Sequence, residues 1–215
     1  MNEIILGDCL DYMRTLPDKS IDLILTDPPY GIGESMRVKK RKSVLAKQRD
    51  YACKDWDLAA PSKEYFDEMR RVSKNQIIWG GNYFAESLGN SPCWIVWNKM
   101  NGANDFADCE LAWTSFTSSV RLFEYVWQGM RQVDMKNKEE RFHPTQKPLP
   151  LFLWLLEKYS EPGQTVLDPF SGSGTTAIAA HRLGRQFVCV EKDAEYYAAS
   201  VERLRKEREQ LLFNF

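Results

Sequence analysis

Asp27-Pro28-Pro29-Tyr30 sets an acid, a backbone carbonyl and an aromatic ring directly behind the apolar run Ile21-Asp22-Leu23-Ile24-Leu25-Thr26. A short apolar run that ends in prolines reads as a buried strand with an abrupt stop. Proline lacks an N–H and fixes φ, so two in succession make a stiff, extended exit from a sheet. Open α/β sheets bind ligands at the carboxyl ends of their strands. The Asp27 carboxylate and the Pro28 carbonyl form an acceptor pair, and with the Tyr30 ring beside them they suit a flat base carrying an exocyclic amine. The plain alternative is a strand followed by a proline turn.

A second constellation lies near the other end of the chain. Asp168-Pro169-Phe170-Ser171-Gly172-Ser173-Gly174-Thr175-Thr176-Ala177 follows one strand-like run and opens a helix-like one. Gly172 and Gly174 permit close backbone approach, and a helix N-terminus offers free N–H groups with positive dipole potential. Such a loop suits a carboxylate or a phosphate. Glu191 ends the next apolar run, where an acid can accept from both hydroxyls of a ribose. The glycine spacing also fits a dinucleotide fingerprint, while a P-loop is excluded by the missing Gly-Lys-Ser/Thr ending.

The elements that must position these residues alternate. Strands are expected near 3–6, 21–26, 76–81, 93–98, 165–167 and 186–190, and helices over 10–15, 148–158, 175–183 and 193–212. A further helix opens at Pro61-Ser62-Lys63-Glu64, where Tyr65, Phe66, Met69 and Val72 recur at helical spacing. Segments 110–116 and 122–127 read as an antiparallel hairpin. This alternation predicts an α/β fold with a doubly wound, mostly parallel sheet. At 215 residues one domain, spanning 1–215, is expected. No run of 18 apolar residues suggests a membrane span, and the first residues lack the pattern of a secretory signal. Five scattered cysteines without a C-x-x-C, and only His143 and His181, predict reduced, mostly buried thiols in a cytoplasmic protein with no metal site.

A net charge of −1 conceals a basic segment. Arg37, Lys39, Lys40, Arg41, Lys42, Lys47 and Arg49 crowd a loop at about 34–56, a few residues after Tyr30. Beside a base site, Lys39, Lys40, Arg41 and Lys42 are placed to neutralise phosphates; a solvated surface loop is the alternative. Pro92-Cys93 is a decoy. Cys93 enters the apolar run Trp94-Ile95-Val96-Trp97 and reads as a buried structural thiol, and Trp79, Trp94, Trp97, Trp113 and Trp127 read as core.

Taken together, the motifs resemble the DNA amino-methyltransferases, in the class whose catalytic D-P-P-Y precedes the cofactor loop. Asp168 to Thr176 is similar to that family's D-P-F-x-G-x-G-T-T loop for S-adenosylmethionine. His143-Pro144-Thr145-Gln146-Lys147-Pro148 resembles its H-P-T-x-K-P element, and Gly7-Asp8-Cys9 its N-terminal G-D segment. These elements run in family order over residues 7 to 191. The resemblance implies a Rossmann-like methyltransferase fold with catalytic Asp27, Pro28, Pro29 and Tyr30. It implies a cofactor site made by Asp8, Cys9, Asp27, Lys147, Asp168, Pro169, Phe170, Ser171, Gly172, Ser173, Gly174, Thr175 and Glu191. Asp8 would accept from the cofactor adenine, besides capping a helix, and Lys147 would meet the methionine carboxylate.

The implied reaction is methyl transfer from S-adenosylmethionine to the N6 amine of an adenine flipped out of double-stranded DNA. Asp27 and Pro28 would accept its two N–H groups, and Tyr30 would stack on the base. The nearby sulfonium would depress the Asp27 pKa. N4 of cytosine is the nearest alternative; family members with S-P-P-Y take cytosine more often. A non-catalytic DNA-binding protein and an NAD-dependent oxidoreductase are readings from other classes. Target reading falls to a region at about 114–142, short for the family, which points to a short site, loose specificity or a homodimer sharing the task. No nuclease motif is evident, so in a restriction–modification pair the nuclease would be another chain.

Overall fold

Alternating apolar side chains build the sheet and decide which face each helix covers. The computed structural model describes residues 2–33, 57–102, 107–128, 131–134, 139 and 145–212. In chain order the elements are β1 (Asn2–Leu6), α1 (Cys9–Arg14), β2 (Ile21–Thr26), α2 (Lys63–Val72), β3 (Ser73–Trp79), α3 (Ala85–Leu88), β4 (Trp94–Asn98), β5 (Cys109–Thr114), β6 (Arg121–Glu124), β7 (Trp127–Gln128), β8 (Arg131–Gln132), α4 (Leu149–Tyr159), β9 (Thr165–Asp168), α5 (Thr175–Arg182), β10 (Gln186–Glu191) and α6 (Ala194–Leu212).

Eight strands form one sheet in the order β1-β10-β9-β2-β3-β5-β4-β6. The pairs β1–β10, β10–β9, β9–β2 and β2–β3 are parallel; β5 runs antiparallel to both β3 and β4. On one face Leu23, Leu25, Ile77, Trp79, Val166, Phe187 and Cys189 pack against α4 and α5. On the other, Ile24, Ile78, Leu167, Val188 and Val190 pack against α1, α2 and α3. Period-two alternation on neighbouring strands thus feeds two cores from one sheet, giving a three-layer α/β/α arrangement. Each fully buried Leu or Ile contributes about 1.5–3 kcal/mol.

The expected hairpin of 110–116 with 122–127 is not formed. Both edges of β5 are taken by β3 and β4, so β6 joins the sheet at the free edge of β4, in parallel register from Ile95↔Arg121 to Asn98↔Glu124. The antiparallel hairpin lies later, where β7 pairs with β8. Trp79, Trp97, Trp113 and Trp127 are buried. Cys9, Cys93 and Cys189 are buried as well, whereas Cys109 is exposed. Among the described residues no helix is long and apolar enough to cross a membrane, and no group of acids, histidines and cysteines is placed to hold a metal ion.

The chain leaves β9 toward β10 on one side and leaves β2 toward β3 on the other. A crevice therefore opens between β9 and β2 at their carboxyl ends, the ligand position of open α/β sheets. The Thr26 hydroxyl, at the end of β2, donates to Asp168 Oδ1 across this boundary at 2.7 Å. At the sheet's far edge the Arg208 guanidinium on α6 donates to the Asn2 carbonyl at 3.1 Å.

Candidate active site

Four neighbouring strands end in acids at one rim. Asp8 follows β1 by two residues, Glu191 closes β10, Asp168 closes β9 and Asp27 follows β2. The two sequence motifs, more than 140 residues apart, thereby share one crevice.

On the cofactor side, Gly172 adopts φ +52° and Gly174 φ +73°, the left-handed region that glycine enters without steric cost. Glu191 accepts from Gly172 N at 2.7 Å through one oxygen and from Asp193 N at 2.8 Å through the other. Burial pushes its carboxyl above the usual range, and these two bonds oppose the rise. A carboxylate has about four acceptor positions, so Glu191 retains capacity for hydroxyl donors. Asp8 caps α1 by accepting Leu10 N at 2.9 Å, and Lys192 reaches its other oxygen at 3.1 Å. Cys9 behind it is buried in the core, and burial pushes its thiol up.

Asp168 serves as a brace. It is 3% exposed and accepts from Thr26, Thr176 and the Phe170 amide. Burial pushes its carboxyl up to about 6. Pro169 follows, Phe170 packs on Tyr65 with ring centroids 6.0 Å apart, and Ser171 N donates to Val190 O at 3.0 Å. Ser173 and Thr175 are gripped by Arg203 of α6, whose Nη1 donates to Ser173 O and to Thr175 Oγ1, each at 3.0 Å. The same guanidinium meets Glu139 at 2.8 Å. A Cβ on Gly174 would lie 3.0 Å from Ser200 Cβ of α6. Gly174 therefore faces a helix, and steric exclusion of a cofactor is not what its missing side chain provides.

On the target side, the two Asp27 oxygens are held separately. Tyr30 Oη donates to Oδ1 at 2.6 Å, and Lys147 Nζ pairs with Oδ2 at 2.5 Å. Burial raises the Asp27 carboxyl and Glu110 adds to this, while Lys147 and the Tyr30 hydrogen bond oppose it. The depression expected for Asp27 rests on a bound sulfonium, a cation that would act on the carboxyl in the same direction as Lys147. Burial and the Asp27 charge push the Tyr30 phenol well above its ordinary value, so it stays a donor.

The Tyr30 ring is stacked on Tyr83 and abuts Gly80, where a Cβ would overlap it at 2.2 Å. Lys147 is 5% exposed and contacts Asp27 and Glu110. Its ammonium thereby ties the end of β2 to β5.

Lys39, Lys40, Arg41 and Lys42, with the rest of the basic segment, lie outside the described residues, as does His143. The chain returns at Asp57, which is 2% exposed and accepts Gly31 N at 2.9 Å through Oδ1 and Gly33 N at 3.1 Å through its carbonyl. Both ends of the segment are therefore fastened beside Tyr30. Sequence reasoning missed Glu110, Tyr83, Arg203 and Glu139. Of these only Glu110 left a trace, as an acid in an apolar strand.

A family model described as "DNA methylase" matches residues 116–202. The type II methyltransferase M.HinfI of Haemophilus influenzae is 26% identical over 251 aligned residues, 96% of this chain and 69% of that protein. Among solved structures, the M1.HpyAVI–SAM complex superposes with a TM-score of 0.59 at 22% identity, covering 95% of this chain and 99% of the other. The cytosine-N4-specific PvuII DNA methyltransferase gives 0.60 at 16% identity, covering 98% and 92%.

The sheet order, the rim of acids and these superpositions define the fold of S-adenosylmethionine-dependent methyltransferases. Within that fold, residues 116–202 match the DNA methylase family model, and nearly the whole chain is similar to a type II DNA methyltransferase.

Proposed function

We propose that this chain transfers the methyl group of S-adenosylmethionine to the N6 amine of an adenine flipped out of double-stranded DNA. The observation that carries the reading is the Asp27 carboxylate at the end of β2, one strand away from the Gly172–Glu191 contact at the ends of β9 and β10. That placement sets an amine acceptor next to a cofactor cradle.

The donor set fits the cofactor. Acceptor capacity at Glu191 suits the ribose hydroxyls, Asp8 suits the adenine amine, and the glycine turn at 172–174 keeps the backbone low beneath them. When bound, S-adenosylmethionine supplies an electrophilic methyl on a sulfonium. Asp27 accepts one N–H of the target amine and the Pro28 carbonyl the other, which turns the nitrogen lone pair out of ring conjugation and toward the methyl. Holding both partners in line is the main source of acceleration. Tyr30 orients the Asp27 carboxylate through its hydroxyl. The amine proton leaves to solvent after transfer, since the nearby Lys147 charge and the Tyr30 hydroxyl oppose protonation of Asp27.

N4 of cytosine is the second reading, because the same acceptor pair serves any ring-conjugated amine and the fold is shared with an N4 enzyme. The deciding experiment is incubation with labelled S-adenosylmethionine and plasmid DNA, followed by mass spectrometry of the nucleosides. N6-methyladenine supports the proposal and N4-methylcytosine replaces it. Asp27→Ala should abolish either product while leaving the circular dichroism spectrum unchanged.

A further inference from the structure

We infer that Glu110 is a positioning residue for methyl transfer: as a second carboxylate for the Lys147 ammonium, it lets Asp27 be released to accept the target amine. The inference rests on the methyl-transfer reading above.

Four charges alternate across the crevice. Asp27 Oδ2 meets Lys147 Nζ at 2.5 Å, Lys147 Nζ meets Glu110 Oε2 at 3.0 Å, and Lys99 Nζ meets Glu110 Oε1 at 2.5 Å. The set sums to zero and lies largely out of water, with Lys147 5% exposed and the side chains of Lys99, Asp27 and Glu110 at 18%, 19% and 24%. Solvent therefore does little to replace a missing partner, and an unpaired buried cation is costly.

Both oxygens of Asp27 are engaged, one by the Tyr30 hydroxyl and one by Lys147. A neutral amine donor must compete there with an ammonium, whose charge-assisted bond is the stronger. With Glu110 present, Lys147 can relax away from Asp27 and remain paired. Without Glu110 the ammonium has a single carboxylate among the described residues and clings to it.

Glu110 is fit for this task. It sits on β5 opposite Trp97 of β4, within a five-residue antiparallel ladder that holds its backbone. Lys147 and Lys99 hold its carboxyl down at about 2, against the effect of burial, so it is charged throughout the range in which an enzyme works.

The test compares pH–rate profiles of methyl transfer. The titratable groups facing Asp27 among the described residues are Tyr30, Lys147, Glu110 and Asp168. Glu110→Gln should lower kcat at least tenfold with little change in the KM for S-adenosylmethionine. It should also move the acid limb of the profile to lower pH, because an anion that raises Asp27 is gone. Glu110→Asp, which keeps the charge, should return the limb toward its original position. If Glu110→Gln fails to fold, Lys99→Gln decides: it removes the cation that tempers Glu110, so the limb should move to higher pH. An unmoved limb in the folded variant, whether kcat falls or not, overturns the inference, since a merely structural role would lower kcat without shifting the limb. A wild-type protein that methylates no DNA base would instead defeat the underlying reading.

Discussion

Tyr30 stacks on Tyr83 with ring centroids 4.9 Å apart and planes 17° from parallel. Tyr83 is 50% exposed and Tyr30 is less so, so of the pair the Tyr83 ring is the more open to a stacking base. Base stacking on an aromatic side chain is worth about 1–3 kcal/mol. Tyr83→Ala is therefore expected to raise the KM for DNA by roughly tenfold or more. Tyr30→Phe removes the bond to Asp27 Oδ1 and should lower kcat instead. Steady-state kinetics separates the two, and a common effect on one parameter would refute this division of labour.

Gly174 is expected to matter for folding more than for cofactor affinity. Its φ of +73° strains any other residue, and a Cβ there crowds Ser200. A left-handed non-glycine residue costs about 1–2 kcal/mol, which lowers Tm by roughly 2–8 °C in a chain of this size. Gly174→Ala should show that loss while binding S-adenosylhomocysteine nearly normally. Adding Ser200→Gly should relieve the crowding but leave the backbone strain. Calorimetric titration that finds binding abolished in a folded variant would return this glycine to the cofactor surface.

The brace at Asp168 has a pH signature. Its folded-state pKa, up to about 6, lies above its unfolded value. Stability from this group is thus fully present below the unfolded pKa of an aspartate and is lost as pH rises through about 6. The loss by neutral pH is on the order of 3 kcal/mol. Asp168→Asn removes the titration, so the Tm difference between wild type and variant should change between about pH 4 and 7, to the wild type's relative advantage at the acid end. A constant difference over that interval would mean Asp168 is not buried in this way.

Asp57 fastens both ends of the basic segment beside Tyr30, so phosphate binding there would align DNA with the crevice. Changing Lys39, Lys40, Arg41 and Lys42 together to Ala should weaken DNA binding equally on different sequences. The slope of log K against log salt should become shallower by about 0.9 for each phosphate that is no longer neutralised. Cofactor affinity should not change. Filter binding over a salt series is the check, and unchanged affinity and slope would leave DNA binding to the 114–142 interval.

Local signals carry the sequence reading well. An apolar run closed by Pro28 and Pro29, and another closed by Asp168 before a glycine turn, announce strand ends whatever surrounds them. The rim of acids from Asp8 to Asp27 is legible for that reason. What escapes depends on partners far along the chain. Nothing near Lys147 announces that it meets Asp27, 120 residues earlier, or Glu110 on an antiparallel strand. The turn of the Tyr30 ring onto Tyr83 depends on Gly80 giving it room. The place of β6 differs from expectation because strand pairing depends on which edges remain free, which a single segment cannot display.

The bond from Thr26 to Asp168 joins the two halves of the site without regard to the path of the chain between them. Asn2 and Arg208, near opposite ends of the described chain, also touch. The order of the halves along the polypeptide is therefore not something the crevice senses. A circular permutant that links the original ends by a short flexible linker and opens between β8 and α4 would translate the glycine loop before the D-P-P-Y strand. It should close the same pocket, and DNA methylation retained by the folded permutant is the check.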